Sequence, residues 1–245
     1  MSLLTSPKKP NLKIIFEDDS LVVIDKPSGV VVNISESSPE NTIQNELQKT
    51  FSGKDSGAMG FEFSKRTGVV HRLDKDTSGV LIAAKNEESF FSIKNQFKER
   101  LVKKHYIALV FGELEDPIVE VDAPIARNPK NRIKMAIVDG GRNAESRFEL
   151  DEVIDYGDEK LSVVNCYPTT GRTHQLRVHL AAMKHPIVAD PIYMTRKQFT
   201  MFEQDFERLM LHAWKIQFNH PKTNNELSFE APLPKVFIDI CSKPH

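Results

Sequence analysis

The feature that most constrains this chain is the segment 71–79, HRLDKDTSG, in which the acid Asp74 stands between an arginine and a Thr-Ser-Gly turn. The runs on either side, TGVV before it and GVLIAA after it, are apolar and rich in β-branched residues, which is typical of buried strands. We therefore predict that Asp74 lies on a connection between two strands. A loop held by such a scaffold is a common site for chemistry.

Two other interpretations of this segment have to be weighed. Arg72 could form a surface ion pair with Asp74 or Asp76, which would usually contribute less than about 1 kcal/mol. The string also resembles the HRD catalytic loop of protein kinases. That loop requires an asparagine five residues after its aspartate, whereas position 79 here is glycine and no GxGxxG motif precedes it.

Length and charge limit the function classes. The 245 residues suffice for one large α+β domain or two small ones. The sequence has no secretory signal and no run of eighteen apolar residues, so we expect a cytoplasmic protein that does not bind membranes. Because the net charge is only −1, binding of a nucleic acid would depend on local basic clusters, which occur at 94–105 and 127–134. Each cluster could instead be an ordinary solvated face.

Along the chain, strand patterns outnumber helix patterns. We expect a flexible tail over 1–11 and one folded domain over 12–245. Asn86 is placed to cap a helix that runs to about Leu101, and Thr173 to cap another that runs to about Met183. The fold class predicted from this pattern is α+β.

Five segments, in order, resemble the RluA-type pseudouridine synthases, which isomerise uridine to pseudouridine in RNA. They are EDDSLVVIDKPSGVVV, HRLDKDTSGVLIAAKN, KHYIALVFG, GRTHQLRVHLAAMKHPIVAD, and LHAWKIQFNHPKT with EAPLP. The resemblance implies a pseudouridine synthase fold, with a long, mostly antiparallel mixed sheet in two sub-halves, flanked by helices, and a catalytic cleft between the sub-halves. It also implies that the S4-like RNA-binding domain found at the N-terminus of many relatives is absent here.

The resemblance assigns roles to individual residues. Asp74 becomes the catalytic aspartate, Arg177 its ion-pair partner, and Tyr106 the residue that stacks on the flipped uracil and assists proton transfer. A nucleophilic carboxylate can break and remake a glycosidic bond without a cofactor or metal. We expect Lys26-Pro27 to give structural support. The residues expected to contact RNA are His71, Arg72, Lys104, Arg127, Lys130, Arg132 and Arg172, with Arg72 entering the space left by the flipped nucleotide.

Alternatives remain at this stage. A non-catalytic RNA-binding or RNA-chaperone protein could keep the same fold, and a hydrolase could use Asp74 to release free uracil. The histidines at 71, 105, 174, 179 and 185 lack the spacing of a HExxH zinc site. We expect a monomer that acts on ribosomal RNA, transfer RNA or both.

Where the family commonly has GHPIxGDxxYG, this chain has Lys184, Ala189 and Met194 at the glycine positions. Glycine readily adopts backbone angles that residues with side chains disfavour. We therefore expect the local backbone to differ from the family's.

Overall fold

The computed structural model describes residues 12–51 and 61–241. The expected flexible tail over 1–11 lies outside the described residues. The described part contains eleven strands and six helices, in an order without regular βαβ alternation. The strands are β1 (Lys13–Glu17), β2 (Leu21–Lys26), β3 (Ser78–Ala84), β4 (Lys103–Phe111), β5 (Ile118–Asp122), β6 (Ile125–Arg127), β7 (Met135–Ile137), β8 (Glu145–Tyr156), β9 (Glu159–Pro168), β10 (Leu211–Asn219) and β11 (Glu226–Glu230). The helices are α1 (Ile43–Phe51), α2 (Phe61–Arg66), α3 (Glu87–Lys98), α4 (Gln175–Ala182), α5 (Arg196–Phe202) and α6 (Lys235–Cys241).

The chain divides into two compact units. The first contains the residues up to Lys103 together with Lys215–Pro232, and the second contains Lys104–Trp214 and the residues from Leu233 onward. The α+β fold with a mostly antiparallel sheet and flanking helices is confirmed. The single catalytic domain over 12–245 and the cleft between the sub-halves stay predictions.

In the first unit, β1, β2 and β3 are antiparallel neighbours in that order, and the end of β10 pairs with β11. Both β2 and β3 are almost entirely buried, as expected for the apolar run after Asp74. The helix α3 packs against β3, and its Phe90 and Ile93 belong to the core of this unit. Asn86 caps α3 as predicted, because its side chain accepts the backbone N–H of Ser89 at 2.9 Å.

The upstream partner of the Asp74 loop is shorter than predicted. The TGVV segment forms only an isolated bridge between Val69 and Ala83, not a strand. Gly68 explains the change of direction, since it has φ +74° and an added Cβ would lie 1.9 Å from the carbonyl oxygen of Ala84. Only glycine fits this close approach of two backbones.

In the second unit, the antiparallel order is β4, β9, β8 and β5. The strands β6 and β7 form a separate two-stranded ladder. We call residues 125–137 the basic hairpin. The core of this unit includes Leu109, Phe148 and Phe202, all fully buried.

Two helix boundaries were predicted wrongly. The helix α3 ends at Lys98 rather than near Leu101, and the chain turns at Arg100, which has φ +60°. The helix α4 begins after His174, not Thr173, and His174 has φ +56° and makes no side-chain cap. The side chain of Gln175, the first residue of the helix, accepts the backbone N–H of Arg172 at 3.0 Å.

The three residues that replace the family's glycines differ in their backbone conformation and burial. Lys184 and Ala189 adopt left-handed angles, with φ +69° and +56°. For a residue with a Cβ, this conformation costs about 1–2 kcal/mol. At these two positions the chain takes the glycine-like backbone despite its side chains, while Met194 adds a buried side chain to the core.

Candidate active site

The side chains of the Asp74 loop differ in their exposure from one residue to the next. Leu73 is buried, Asp74 is half-buried and Arg72 is exposed. The turn closes when the backbone N–H of Thr77 donates to the carbonyl oxygen of Asp74 at 3.2 Å. The loop therefore holds the Asp74 backbone just before the buried strand β3.

His71 fixes the start of this loop. Its Nε2 accepts the backbone N–H of Ile82 at 2.9 Å, and its ring stacks on Phe97 at 4.7 Å between centroids. His71 thus joins the loop to β3 and α3.

A buried lysine binds the backbone of the Asp74 loop at Lys75. Lys26 is 0% exposed, and its Nζ donates to the carbonyl oxygens of Pro27, Val30 and Lys75 at 2.8, 2.8 and 3.0 Å. The carbonyl of Lys75 also accepts the N–H of Gly29 at 2.9 Å. The Lys26–Val30 turn and the residue after Asp74 are therefore joined by hydrogen bonds, which accounts for the structural support expected of Lys26-Pro27.

Replacing Lys26 with methionine should lower the free energy of unfolding by about 2–4 kcal/mol, because buried carbonyl oxygens lose their donor. Urea unfolding measures this change. Lys13→Met is the matched control, since the Lys13 side chain is 63% exposed in its ion pair with Asp25, and its loss should cost less than about 1 kcal/mol. Equal midpoints for both variants would show that the Lys26 contacts do not stabilise the turn.

Arg177 lies in the second unit, on α4, and is almost completely buried. Its Nε and Nη2 donate to the two carboxylate oxygens of Asp190 at 2.7 and 2.9 Å, and the side chains are 2% and 0% exposed. This bidentate geometry is the strongest form of an ion pair. Asp190 was not anticipated as a partner from the sequence, although it is the aspartate of the GHPIxGDxxYG pattern. The predicted pairing of Arg177 with Asp74 stays a prediction.

Tyr106 lies on β4 beside Cys166 of β9, and is half-buried against the core of the second unit. The next residue back, His105, stacks on Tyr167 at 4.4 Å and meets Asn165 at 2.8 Å. Successive residues of a strand point to opposite faces. Tyr106 and His105 therefore lie on different faces of the sheet.

Two predicted RNA contacts make hydrogen bonds to the chain's own carbonyl oxygens. Lys104 Nζ donates to Thr169 and Thr170 at 3.3 and 3.0 Å. Arg172 Nε donates to Asn143 at 2.8 Å. Both side chains are half-exposed, so an incoming phosphate would have to share or replace these bonds.

The basic hairpin presents the other predicted RNA contacts. Arg127, Lys130 and Arg132 are exposed. The residues before β7 form a turn, in which the Asn128 side chain accepts the N–H groups of Lys130 and Asn131. Beside it lies an open cavity of about 280 Å³, lined by Arg127, Asn128, Pro129 and Arg132. A concavity lined by two guanidinium groups and no carboxylate suits a phosphate.

The remaining histidines have partners within the protein. His179 contacts Ser146 Oγ and the Ala123 carbonyl oxygen, and burial lowers its pKa, so it stays neutral near pH 7. His185 contacts the carbonyl oxygen of Phe111 at 3.0 Å. Within residues 12–51 and 61–241, no group of three or more histidine, cysteine, aspartate or glutamate side chains is arranged to hold a metal ion. In the same range, no helix is long and apolar enough to cross a bilayer.

Known proteins match this chain in sequence. A family model described as RNA pseudouridylate synthase matches residues 20–182. The ribosomal large subunit pseudouridine synthase D of Nitrosomonas europaea is 40% identical over 226 residues, covering 91% of this chain and 62% of the relative. The protein of the same name from Xanthomonas campestris is 37% identical, covering 94% of this chain and 68% of the relative. The chain thus spans about two thirds of the length of these relatives.

The fold also matches a solved structure. Human RNA Pseudouridylate Synthase Domain Containing 1 is 29% identical, with a TM-score of 0.73, over 92% of this chain and 86% of the human one. The match extends over most of the chain rather than over one motif. The resemblance to RluA-type enzymes is confirmed, and this chain belongs to the RNA pseudouridylate synthase family.

Proposed function

We propose that this protein isomerises specific uridines in structured RNA to pseudouridine, with Asp74 as the nucleophile. The observation that supports this most is the Asp74 loop, in which the half-buried Asp74 follows the exposed Arg72 and precedes Lys75, whose carbonyl oxygen is bound by Lys26. The alternative, an RNA-binding protein without activity, would not require this carboxylate.

The isomerisation of uridine to pseudouridine requires a nucleophilic carboxylate but no cofactor. The bond between C1′ and N1 breaks, a bond between C1′ and C5 forms, and one proton leaves C5 while another is taken up at N1. Substrate and product are isomers, so the reaction needs no oxidant, reductant or second substrate. Asp74 attacks the ribose or the base, depending on the route, and leaves when the new bond forms.

The other predicted residues have distinct parts in this proposal. The uridine must leave its stack to be reached, which costs a few kcal/mol, and the exposed Arg72 is suited to fill the vacated space. The ring of Tyr106 stacks on the uracil, which contributes about 1–3 kcal/mol per stacked base in single-strand binders. Its hydroxyl assists the proton transfer at C5. Arg177 is the ion-pair partner of Asp74 in this proposal.

We assign the substrate to ribosomal RNA of the large subunit first and to transfer RNA second, because the relatives are named for the large ribosomal subunit. The enzyme would then act in the cytoplasm of a bacterial cell. Carbodiimide mapping of both RNAs from cells with and without the gene tests this assignment. Loss of one signal that the wild-type gene restores supports it, and persistence of every ribosomal and transfer RNA signal contradicts it.

The basic hairpin should supply much of the RNA affinity. Changing Arg127, Lys130 and Arg132 together to glutamine should weaken RNA binding about 10-fold or more and reduce the slope of log K against log salt by about 2, since each lost phosphate contact removes about 0.7. Filter binding between 50 and 200 mM salt measures both.

The matched control removes three exposed lysines outside both basic clusters, with Lys13, Lys49 and Lys222 changed to glutamine. This variant has the same net charge as the hairpin variant. If the two variants lowered the slope equally, the effect would come from total charge, and the hairpin would not be the RNA contact.

A further inference from the structure

The basic hairpin and Arg177 meet at one side chain, that of Tyr193. The tyrosine follows the turn that begins at Asp190, and it is half-buried. No sequence pattern considered above gives it a role. Its hydroxyl and its ring make separate sets of contacts, which can be tested separately.

The hydroxyl joins the hairpin to the start of α4. It accepts the backbone N–H of Met135, in β7, at 2.9 Å. It also lies 2.9 Å from Nδ1 of His174, the residue from which α4 begins. One oxygen therefore fixes the hairpin strand and the helix that carries Arg177.

The ring lies beside two cations. The Arg177 guanidinium carbon is 5.2 Å from the ring centroid, and Lys134 Nζ, at the end of the hairpin turn, is 5.8 Å away. Both distances are within the range of cation–π attraction. The ring is thus a second neighbour of the Arg177 guanidinium, in addition to Asp190.

Asp190 binds both Arg177 and the backbone of Tyr193. Its Oδ1 accepts the backbone N–H groups of Ile192 and Tyr193 at 2.9 and 3.1 Å, while the same carboxylate binds Arg177. The backbone of Tyr193 and the guanidinium of Arg177 therefore share one buried anchor. A displacement of the hairpin would act on Arg177 through a short, hydrogen-bonded connection.

We propose that Tyr193 is a positioning residue that couples RNA docking on the basic hairpin to the placement of Arg177. The inference rests on the proposed function, because it takes the hairpin as an RNA contact and Arg177 as part of the active site. Tyr193 itself touches no reacting atom. The hydroxyl holds the hairpin strand and the start of α4, and the ring lies beside the guanidinium.

Two substitutions separate the two contacts. Tyr193→Phe keeps the ring and removes the hydroxyl, so KM for RNA should rise about 3- to 10-fold, the effect of one hydrogen bond, with kcat within about 2-fold of wild type. Tyr193→Leu removes the ring as well, and kcat should fall about 10- to 100-fold, as expected for a misplaced active-site group. Phenylalanine would then restore kcat without restoring KM.

Hydrogen exchange tests the coupling without turnover. RNA should slow exchange in the basic hairpin and in α4 of the wild-type protein, and in Tyr193→Leu it should slow exchange in the hairpin alone. If α4 remained protected in that variant, or if RNA never protected α4, the proposal would be overturned. This result does not depend on activity, so failure of the coupling and failure of the proposed function can be told apart.

The control is Tyr156→Phe, which removes another tyrosine hydroxyl of the same unit, one that bonds Asp205. It should leave kcat and KM unchanged. A thermal melt of each variant identifies misfolding. If both Tyr193 variants lost activity only in proportion to the folded protein lost, Tyr193 would be structural and the positioning role would be wrong.

Discussion

Asp74→Asn is expected to reduce pseudouridine formation at least about 10³-fold, because an amide cannot act as the nucleophile. The change is nearly isosteric. It leaves the backbone bond between Thr77 and Asp74 in place, and also the bonds from Lys26 to the neighbouring carbonyl. Folding and RNA affinity should therefore stay close to wild type. Pseudouridine yield, a thermal melt and RNA binding measure the three quantities.

Asp76→Asn is the matched control. Asp76 lies two residues away in the same turn and is also half-buried, and its contact with Ser28 is made by its backbone oxygen, which the substitution keeps. This variant should retain full activity. Equal loss of activity in both variants would indicate a general disturbance of the loop, and a large drop in stability for Asp74→Asn alone would mean that Asp74 is structural.

Arg177→Met is expected to lower the free energy of unfolding by about 3–5 kcal/mol, because it leaves the carboxylate of Asp190 buried without its cation. Adding Asp190→Asn should recover part of this loss. The asparagine is neutral, and its oxygen can still accept the N–H groups of Ile192 and Tyr193. The midpoint of urea unfolding, compared among the single and double variants, measures the interaction.

Lys160→Met is the comparison for Arg177→Met. Lys160 and Glu113 also form a short ion pair, at 2.6 Å, but the side chains are 50% and 48% exposed. Its loss should cost less than about 1 kcal/mol. Similar costs for the buried and the exposed pair would contradict the role of burial in the stability of the Arg177–Asp190 pair.

The parts of the site that could be predicted from the sequence are those encoded locally. Asn86 and the apolar stripe that follows it identify α3, and the run after Asp74 identifies β3, because helix caps and strand patterns depend on residues a few positions apart. The Asp74 loop could therefore be located from the residues alone. The upstream TGVV segment was misjudged, since the close approach of Gly68 to Ala84 depends on a strand that lies further along the chain.

The parts that could not be predicted depend on contacts between distant residues. The hydroxyl of Tyr193 bonds a backbone group 58 positions away, and no local periodicity encodes such a partner. Likewise, α4 begins only after His174, whose Nδ1 lies 2.9 Å from the Tyr193 hydroxyl, 19 positions away. The GDxxYG pattern does include Asp190 and Tyr193, but a pattern of residue types does not reveal which distant atoms its members bond.

The central claim, isomerisation at Asp74, is tested most directly with RNA that has tritium at C5 of its uridines. Each conversion replaces the bond from C5 to hydrogen by a bond from C5 to C1′, so tritium must pass to water. Wild-type protein should release tritium without free uracil, and Asp74→Asn should release none. Tight RNA binding without tritium release would favour an RNA-binding protein, release of free uracil would indicate a hydrolase, and either result would contradict isomerisation at Asp74.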